Sequence, residues 1–387
     1  MANDPLIILT AAEASGDQHA ANLAIALRER IPHAKLVAFG GPRLAEAGVE
    51  LLADLSRESA MLLGAVRRVP QMIARLIQFD RFVVRNQPAL HITVDSPAAN
   101  LPFAGRSKAH GVPVLAYVAP QLWAWGSWRM NKVRRRVDRL ACILPFEPDY
   151  FRPHGIAAEF VGHPIFEPLV NFQPDLARIA KLPTGSPKIA LLPGSRAHEI
   201  IHHLPAQLRA AAAIRKNHPS AAFVVATPPP GHGHSVDVAK LLAASPTPVV
   251  WAGRLDDGSS VSLPDVLTWA DLVLTASGSV TLEVAWFAKP MVVMYHVGAW
   301  QWNLIGRWLL QAPFRALPNI VAGRAVVPEL MPWFGQDQPI IDELEALIAD
   351  PARQAEMRSA LCSLVQPLAA QHASHRVAEI AVEMIQR

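Results

Sequence analysis

Cysteine is nearly absent: the chain of 387 residues carries two, Cys142 and Cys362. They lie far apart and lack metal-ligand spacing, which argues against a disulfide framework and a zinc site and leaves two buried thiols in a reducing compartment as the expectation. No Asp-x-Asp pair stands beside a phosphate-type loop, so chemistry without a metal ion or another cofactor is expected. No unbroken apolar run reaches the length of a membrane span, and Met1-Ala2-Asn3-Asp4-Pro5 leads into a strand without the basic segment of a secretory leader. The expected location is cytoplasmic, with at most peripheral contact with a membrane. Repeats of solenoid period are missing, and so are nucleic-acid-binding motifs and aromatic residues alternating with basic ones, which leaves no case for a nucleic-acid partner.

What the chain does have is apolar residues, 51% of the total, in short strand-like runs that alternate with helical patterns from end to end. A chain of this length buries two cores, so two doubly wound, Rossmann-like α/β domains facing across a cleft are expected. The first covers residues 1–170 and the second 186–367, with the turn-rich stretch from about Phe166 to Pro187 between them. The 34 prolines are scattered and mark turns. Residues 369–385 have the spacing of an amphipathic helix that must dock on something.

Two loops in the second half carry the strongest chemical signal. Leu191-Leu192-Pro193-Gly194-Ser195-Arg196 and Ala276-Ser277-Gly278-Ser279-Val280-Thr281-Leu282-Glu283 each follow an apolar strand and open a helix. Backbone N–H groups at such helix starts hold anions. Glu283, on the first turns of its helix, is placed to meet a sugar attached to the phosphate, so a nucleotide is expected. Arg196 adds a charge-assisted contact that offsets the charge growing on a departing diphosphate.

A nucleotide held there needs a reacting partner and a base from the first half. Asp95, delivered by the apolar strand Leu90 to Val94, is the leading candidate to accept a hydroxyl proton. The loop Glu13-Ala14-Ser15-Gly16-Asp17 after the first strand and His163, between Gly162 and Pro164, are second-rank candidates on the same side. Between Met61 and Val84, apolar residues at helical spacing are edged with arginine. Met61, Leu62, Leu63, Val66 and Val69 are candidates for contact with a bilayer interface, whereas packing on the chain's own sheet is favoured for the Arg75 to Arg85 half. Trp300, Trp302, Trp308 and Phe314 form a second apolar group. A basic cluster, Arg129 to Arg139, suits an anionic bilayer, a phosphorylated substrate or simply a solvated helix face.

Taken in order, Ala14-Ser15-Gly16-Asp17, Tyr117-Val118-Ala119-Pro120-Gln121-Leu122-Trp123-Ala124-Trp125, Leu144-Pro145-Phe146-Glu147, Val161-Gly162-His163-Pro164, Leu192-Pro193-Gly194-Ser195-Arg196 with Glu199, Ala276-Ser277-Gly278-Ser279 with Leu282-Glu283, and Leu317-Pro318-Asn319 resemble the lipid A disaccharide synthase family. The resemblance implies a GT-B glycosyltransferase whose last helix, about 368–387, returns to the first domain. It implies inverting transfer of 2,3-diacylglucosamine from UDP to 2,3-diacylglucosamine 1-phosphate, giving a β-1,6 disaccharide and UDP at the inner membrane. By position, Asp95 matches the family's base, Arg196 and Ser277 to Ser279 the diphosphate contacts, Glu283 the ribose contact, and Asn319 the donor-side motif. The acceptor side departs from the pattern: Thr93-Val94-Asp95-Ser96-Pro97-Ala98-Ala99 lacks the usual second carboxylate and aromatic, Ala12 replaces a glycine, and Met61-Leu62-Leu63-Gly64-Ala65-Val66 lacks the glutamate of the family's Met-Gly-x-x-Glu-Val segment. Three readings stay open at this point: the lipid glycosyltransferase or a GT-B relative with another acceptor, a UDP-N-acetylglucosamine 2-epimerase, and a noncatalytic UDP-sugar-binding relative. A homodimer is compatible with each.

Overall fold

The computed structural model describes residues 4–55, 65–229, 234–298, 302 and 313–386. Residues 1–164 and 368–387 form one compact unit and residues 165–367 the other.

The first unit is built on a sheet of seven parallel strands: β1 (Leu6–Ala11), β2 (Lys35–Gly40), β3 (Glu50–Asp54), β4 (Leu90–Val94), β5 (Val114–Tyr117), β6 (Arg139–Cys142) and β7 (Ala157–Phe160), ordered β3-β2-β1-β4-β5-β6-β7. Strands covered on both faces read as unbroken apolar runs, and β4 is buried along its whole length. One face packs on the helix Ala14–Arg30, with the C-terminal helix Ala373–Ile385 sealing the same core through Ala373, Val377, Ala378, Ile380 and Ala381. Arg376 reinforces this docking by pairing with Glu159 of β7 and is steadied along its own helix by Glu379 at 2.8 Å. Gly162, at φ 90°, permits the close approach: a Cβ there would lie 2.7 Å from the carbonyl oxygen of Gln371. The other face holds Phe39, Phe79 and Phe103, with Phe79 and Phe103 centroids 5.0 Å apart.

The helix Ala65–Asn86 runs through Pro70 without ending there. A proline this near the start forfeits one backbone hydrogen bond and leaves the later turns intact. The half expected to pack against the sheet has two faces: Phe79 and Val83 are buried, while Ile77 and Val84 are 46% and 52% exposed, and Ile73, just before it, is 50% exposed. Met61, Leu62 and Leu63 lie outside the described residues, as do Trp300 and Trp308, and the side chains of Val66 and Val69 are not described. Cys142 is buried, but Cys362 is exposed, contrary to expectation, because the helix Pro351–Ala369 turns Leu361, Leu364, Val365 and Leu368 inward.

The second unit repeats the design with β8 (Lys188–Leu192), β9 (Ala222–Val225), β10 (Val250–Trp251), β11 (Leu272–Ala276), β12 (Met291–His296) and β13 (Glu329–Trp333), parallel in the order β10-β9-β8-β11-β12-β13. The helix Ala197–Asn217 lays Ile200, Leu204, Leu208, Ala211 and Ile214 on the core. The segment before β8 belongs to this unit: the Asp175 N–H donates to Asp265 and the Trp269 indole to Pro183 O.

In each sheet the strand order reverses at the first strand, between β1 and β4 and between β8 and β11. Loops leaving the carboxyl ends of the two strands at such a point diverge and leave a crevice, where open α/β sheets bind ligands. The expected site loops emerge at these two places, Ala12–Asp17 with Asp95 in the first unit and Pro193–Arg196 with Ser277–Ser279 in the second.

Candidate active site

In the first unit Ala11 pairs with Val94, so the turn after β1 meets the residue after β4. Gly16 makes the approach possible, since a Cβ there would stand 3.0 Å from Val94 O and 3.3 Å from the Asp95 Cβ. Ser15 thereby donates its hydroxyl to Asp95 Oδ2 at 3.0 Å, and the Ser96 N–H donates to Oδ1 at 2.7 Å. The carboxylate is half-buried and fixed by neutral donors. The backbone that carries it is strained: Asp95, Ser96 and Val118, at the ends of β4 and β5, have φ of 55°, 41° and 70°. Non-glycine residues there cost on the order of 1–3 kcal/mol each, and such residues gather at functional sites.

The other first-unit candidates divide differently. Glu13 is exposed at the start of the helix Ala14–Arg30. Asp17 is 1% exposed and accepts from the N–H groups of Gly41 at 2.7 Å and Arg43 at 2.9 Å, so it ties the loop after β2 to that helix. Burial raises its carboxyl above the usual range in spite of those bonds. His163 is buried beside the C-terminal segment, its N–H donating to Leu368 O at 2.9 Å, and burial lowers its imidazole to about 3, which keeps the ring neutral. Sequence reasoning gave no role to Glu147. It is 1% exposed and accepts from the Trp123 indole and the N–H groups of Ile143 and Leu144, and burial raises its carboxyl to about 7. Its side chain joins the tryptophan-bearing loop after β5 to the end of β6. The only signal for it was its place in the Leu144–Glu147 motif.

In the second unit the two loops prove unlike. The N–H groups of Ser195 and Arg196 donate to Glu199 Oε2 at 3.0 and 3.1 Å, so an internal carboxylate already fills the first loop's anion site. This corrects the expectation that both loops offer open amides: a carboxylate three residues into the helix caps its start more readily than a ligand does. Gly194 makes room for it, because a Cβ would lie 2.4 Å from Glu199 Oε2. The Arg196 guanidinium reaches outward, its side chain 62% exposed and 3.6 Å from Glu199. His203 steadies the loop from below, its Nδ1 bonded to Pro193 O at 2.9 Å and its Nε2 accepting from the His296 N–H at 2.9 Å.

The second loop is open. Ser277 donates its N–H to Met294 O, whereas the N–H groups of Gly278, Ser279 and Val280 make no hydrogen bond among the described residues. A Cβ on Gly278 would meet nothing within 4 Å. One turn on, the Glu283 carboxylate has no hydrogen-bond or ionic partner among the described residues, and desolvation raises it to about 7. Asn319 is fully buried and its amide is spent inside the protein, accepting from Val326 and Val327 and donating to Val327 O and Glu329. It organises the chain around Glu329, which also accepts from the N–H groups of Arg315 and Ala316. No group of three metal-ligating side chains occurs among the described residues.

Glu283 makes stability depend on pH. Its folded value of about 7 exceeds the ordinary 4.5, so the folded chain holds the extra proton between those pH values, and stability is lost as pH rises through that window. The slope from this group, on the order of 3 kcal/mol in all, is expected to vanish in Glu283→Gln while that from Glu147 remains. Denaturant titrations from pH 5 to 8 check this; an unchanged slope in the variant refutes it.

A family model described as lipid-A-disaccharide synthetase matches residues 7–385. The lipid-A-disaccharide synthase of Myxococcus xanthus (strain DK1622) is 36% identical over 390 residues, covering 100% of this chain and 99% of its own. That of Anaeromyxobacter dehalogenans (strain 2CP-C) is 38% identical over 378 residues, 96% of each chain. Among solved structures, the S. aureus MnaA–UDP co-structure superposes with a TM-score of 0.67 at 13% identity, covering 99% of this chain and 98% of that one. The glycotransferase of kitacinnamycin gives 0.65 at 16% identity, covering 98% and 99%. These two show the fold, that of GT-B glycosyltransferases and the related epimerases, and the match along the whole sequence shows the family. This chain belongs to the lipid-A-disaccharide synthases, UDP-sugar glycosyltransferases of lipid A biosynthesis.

Proposed function

We propose that the chain transfers 2,3-diacylglucosamine from UDP to the 6-hydroxyl of 2,3-diacylglucosamine 1-phosphate, with inversion, in lipopolysaccharide assembly. In this reading Asp95 accepts the proton of the hydroxyl as its oxygen forms the new bond to the donor's anomeric carbon. The bond from that carbon to the diphosphate breaks, and UDP leaves with the electron pair. Arg196 and the N–H groups of Gly278, Ser279 and Val280 take up the charge on the diphosphate, and Glu283 accepts from the ribose hydroxyls.

The observation that carries the reading is the contrast between two carboxylates at two switch points. Asp95 is braced by Ser15 and Ser96, whereas Glu283, one turn beyond open amides, has no partner among the described residues. The test is mass analysis of the product from defined acylated donor and acceptor. A disaccharide 1-phosphate and UDP are expected; an epimerised sugar nucleotide or no turnover would overturn the proposal.

We also place the protein peripherally on the cytoplasmic face of the inner membrane, where its acylated substrates reside. No helix of the described residues is long and apolar enough to cross a membrane. Support comes from Ile73, Ile77 and Val84, exposed on a helix that carries Arg75, Arg81 and Arg85. Exposed Trp125 and Trp128, with the Arg129 guanidinium 4.1 Å over the Trp125 ring, have the character of interface residues. Ile73→Asp with Ile77→Asp is expected to weaken sedimentation with anionic vesicles at least about tenfold, since each substitution both removes apolar burial and adds like charge. Unchanged sedimentation would remove this helix face from the contact.

A further inference from the structure

Nothing in the sequence reading singles out Asn100, yet it holds the backbone on which Asp95 rides. Asp95 and Ser96 are consecutive non-glycine residues with φ of 55° and 41°, a conformation that lasts only where surrounding groups impose it. Asn100, four residues beyond Ser96 on the helix Pro97–Ala109, is 2% exposed. Its Nδ2 donates to two successive carbonyls, Val94 O at 2.9 Å and Asp95 O at 2.7 Å. One amide thus pins the last peptide of β4 and the first of the turn. Pro97, Ala98 and Ala99 carry no side-chain donor, so no other residue of that first turn can do this.

The amide's other end argues that the nitrogen is what matters. Asn100 Oδ1 is buried without a hydrogen-bond partner among the described residues, and the residue lines a small cavity with Asp95, Thr93, Val118 and Pro120. An amide that leaves its oxygen unsatisfied carries a desolvation cost, which a purely packing role does not require. Aspartate, of the same shape, would turn an acceptor toward two carbonyl oxygens.

We propose that Asn100 is a positioning residue for the transfer reaction: its side-chain amide clamps the carbonyls of Val94 and Asp95, keeps the Asp95–Ser96 turn left-handed, and so aims the Asp95 carboxylate at the acceptor hydroxyl. Ser15 and the Ser96 N–H orient the carboxylate itself, and Asn100 orients the main chain beneath it. The proposal rests on the assignment of Asp95 as base.

The experiment compares Asn100→Ala, Asn100→Ser, Ser96→Gly and the double variant Ser96→Gly/Asn100→Ala by steady-state kinetics, UDP titration and thermal melting. Asn100→Ala is expected to lower kcat about 100-fold, the scale of a misplaced catalytic group, with KM for the UDP-sugar and UDP affinity within about twofold. Asn100→Ser, which keeps one donor, should fall between. Glycine adopts positive φ without the Cβ penalty, so the double variant should recover about tenfold or more in kcat over Asn100→Ala, with Ser96→Gly alone as its reference. Should Asn100→Ala not fold, Asn100→Ser with and without Ser96→Gly carries the same comparison. An unchanged kcat in the Asn100 variants overturns the proposal, as does a double variant that regains its melting temperature but not its kcat. Turnover retained by Asp95→Asn would instead defeat the base assignment. If Asp95→Asn abolishes turnover while the Asn100 variants stay active, only the role of Asn100 falls.

Discussion

Asp95→Asn is expected to lower kcat by about a thousandfold while UDP affinity stays within about twofold of the parent, because a positioned general base contributes on the order of 10²–10⁴. The substitution is nearly isosteric. The Ser96 N–H that bonds Oδ1 at 2.7 Å can bond an amide oxygen, and the Ser15 hydroxyl at 3.0 Å can turn to accept from an amide N–H. The turn survives, then, and what disappears is the capacity to take a proton. The residues proposed to contact UDP, Arg196, Gly278 to Val280 and Glu283, all belong to the other unit. Steady-state kinetics with the acylated substrates, paired with calorimetric UDP titration, separate the two effects. A kcat above about a tenth of the parent value, or UDP binding that falls in step with kcat, would exclude Asp95 as the base.

Arg196→Ala is expected to behave otherwise, weakening UDP binding and kcat together, each by about 100-fold, the scale for removing one charged group that stabilises a leaving anion. The fold should tolerate the loss: the side chain is 62% exposed, and its 3.6 Å contact with Glu199 is a solvent-screened pair of little stabilising value. Glu199 keeps its two backbone hydrogen bonds to residues 195 and 196 in the variant, so the loop retains its shape. Arg196→Lys should recover only part of the affinity, since an ammonium lacks the planar fork that grips a diphosphate at two points. Kinetics at saturating and subsaturating donor check this. Loss confined to the acceptor KM would take Arg196 off the donor.

Both sheets were legible in the sequence where strands are central, because burial on two faces forces unbroken runs such as Leu6-Ile7-Ile8-Leu9 and Leu272-Val273-Leu274. The strands it did not announce are β3 and β13, each at a sheet edge, where one side is unpaired and residues such as Glu50, Asp54, Glu329 and Pro332 are admitted. The same contrast runs through the site. Asp95 and Glu283 follow from their place after apolar strands, a local property. The loop-tying role of Asp17 and the complete internal use of the Asn319 amide are matters of which distant polar groups meet, and spacing alone does not state them.

By itself, then, the order of residues determined two α/β units, the loops that leave their central strands, the family and the carboxylate proposed here as the base, because hydrophobic period and turn chemistry act over a few neighbouring residues. Tertiary structure alone decided which polar atoms remain free for a ligand, since a hydrogen-bonding group is available only when no group from another segment has reached it first. Asp17 is taken up by the loop after β2 and the Asn319 amide by Val326, Val327 and Glu329, whereas the Glu283 carboxylate has no partner among the described residues.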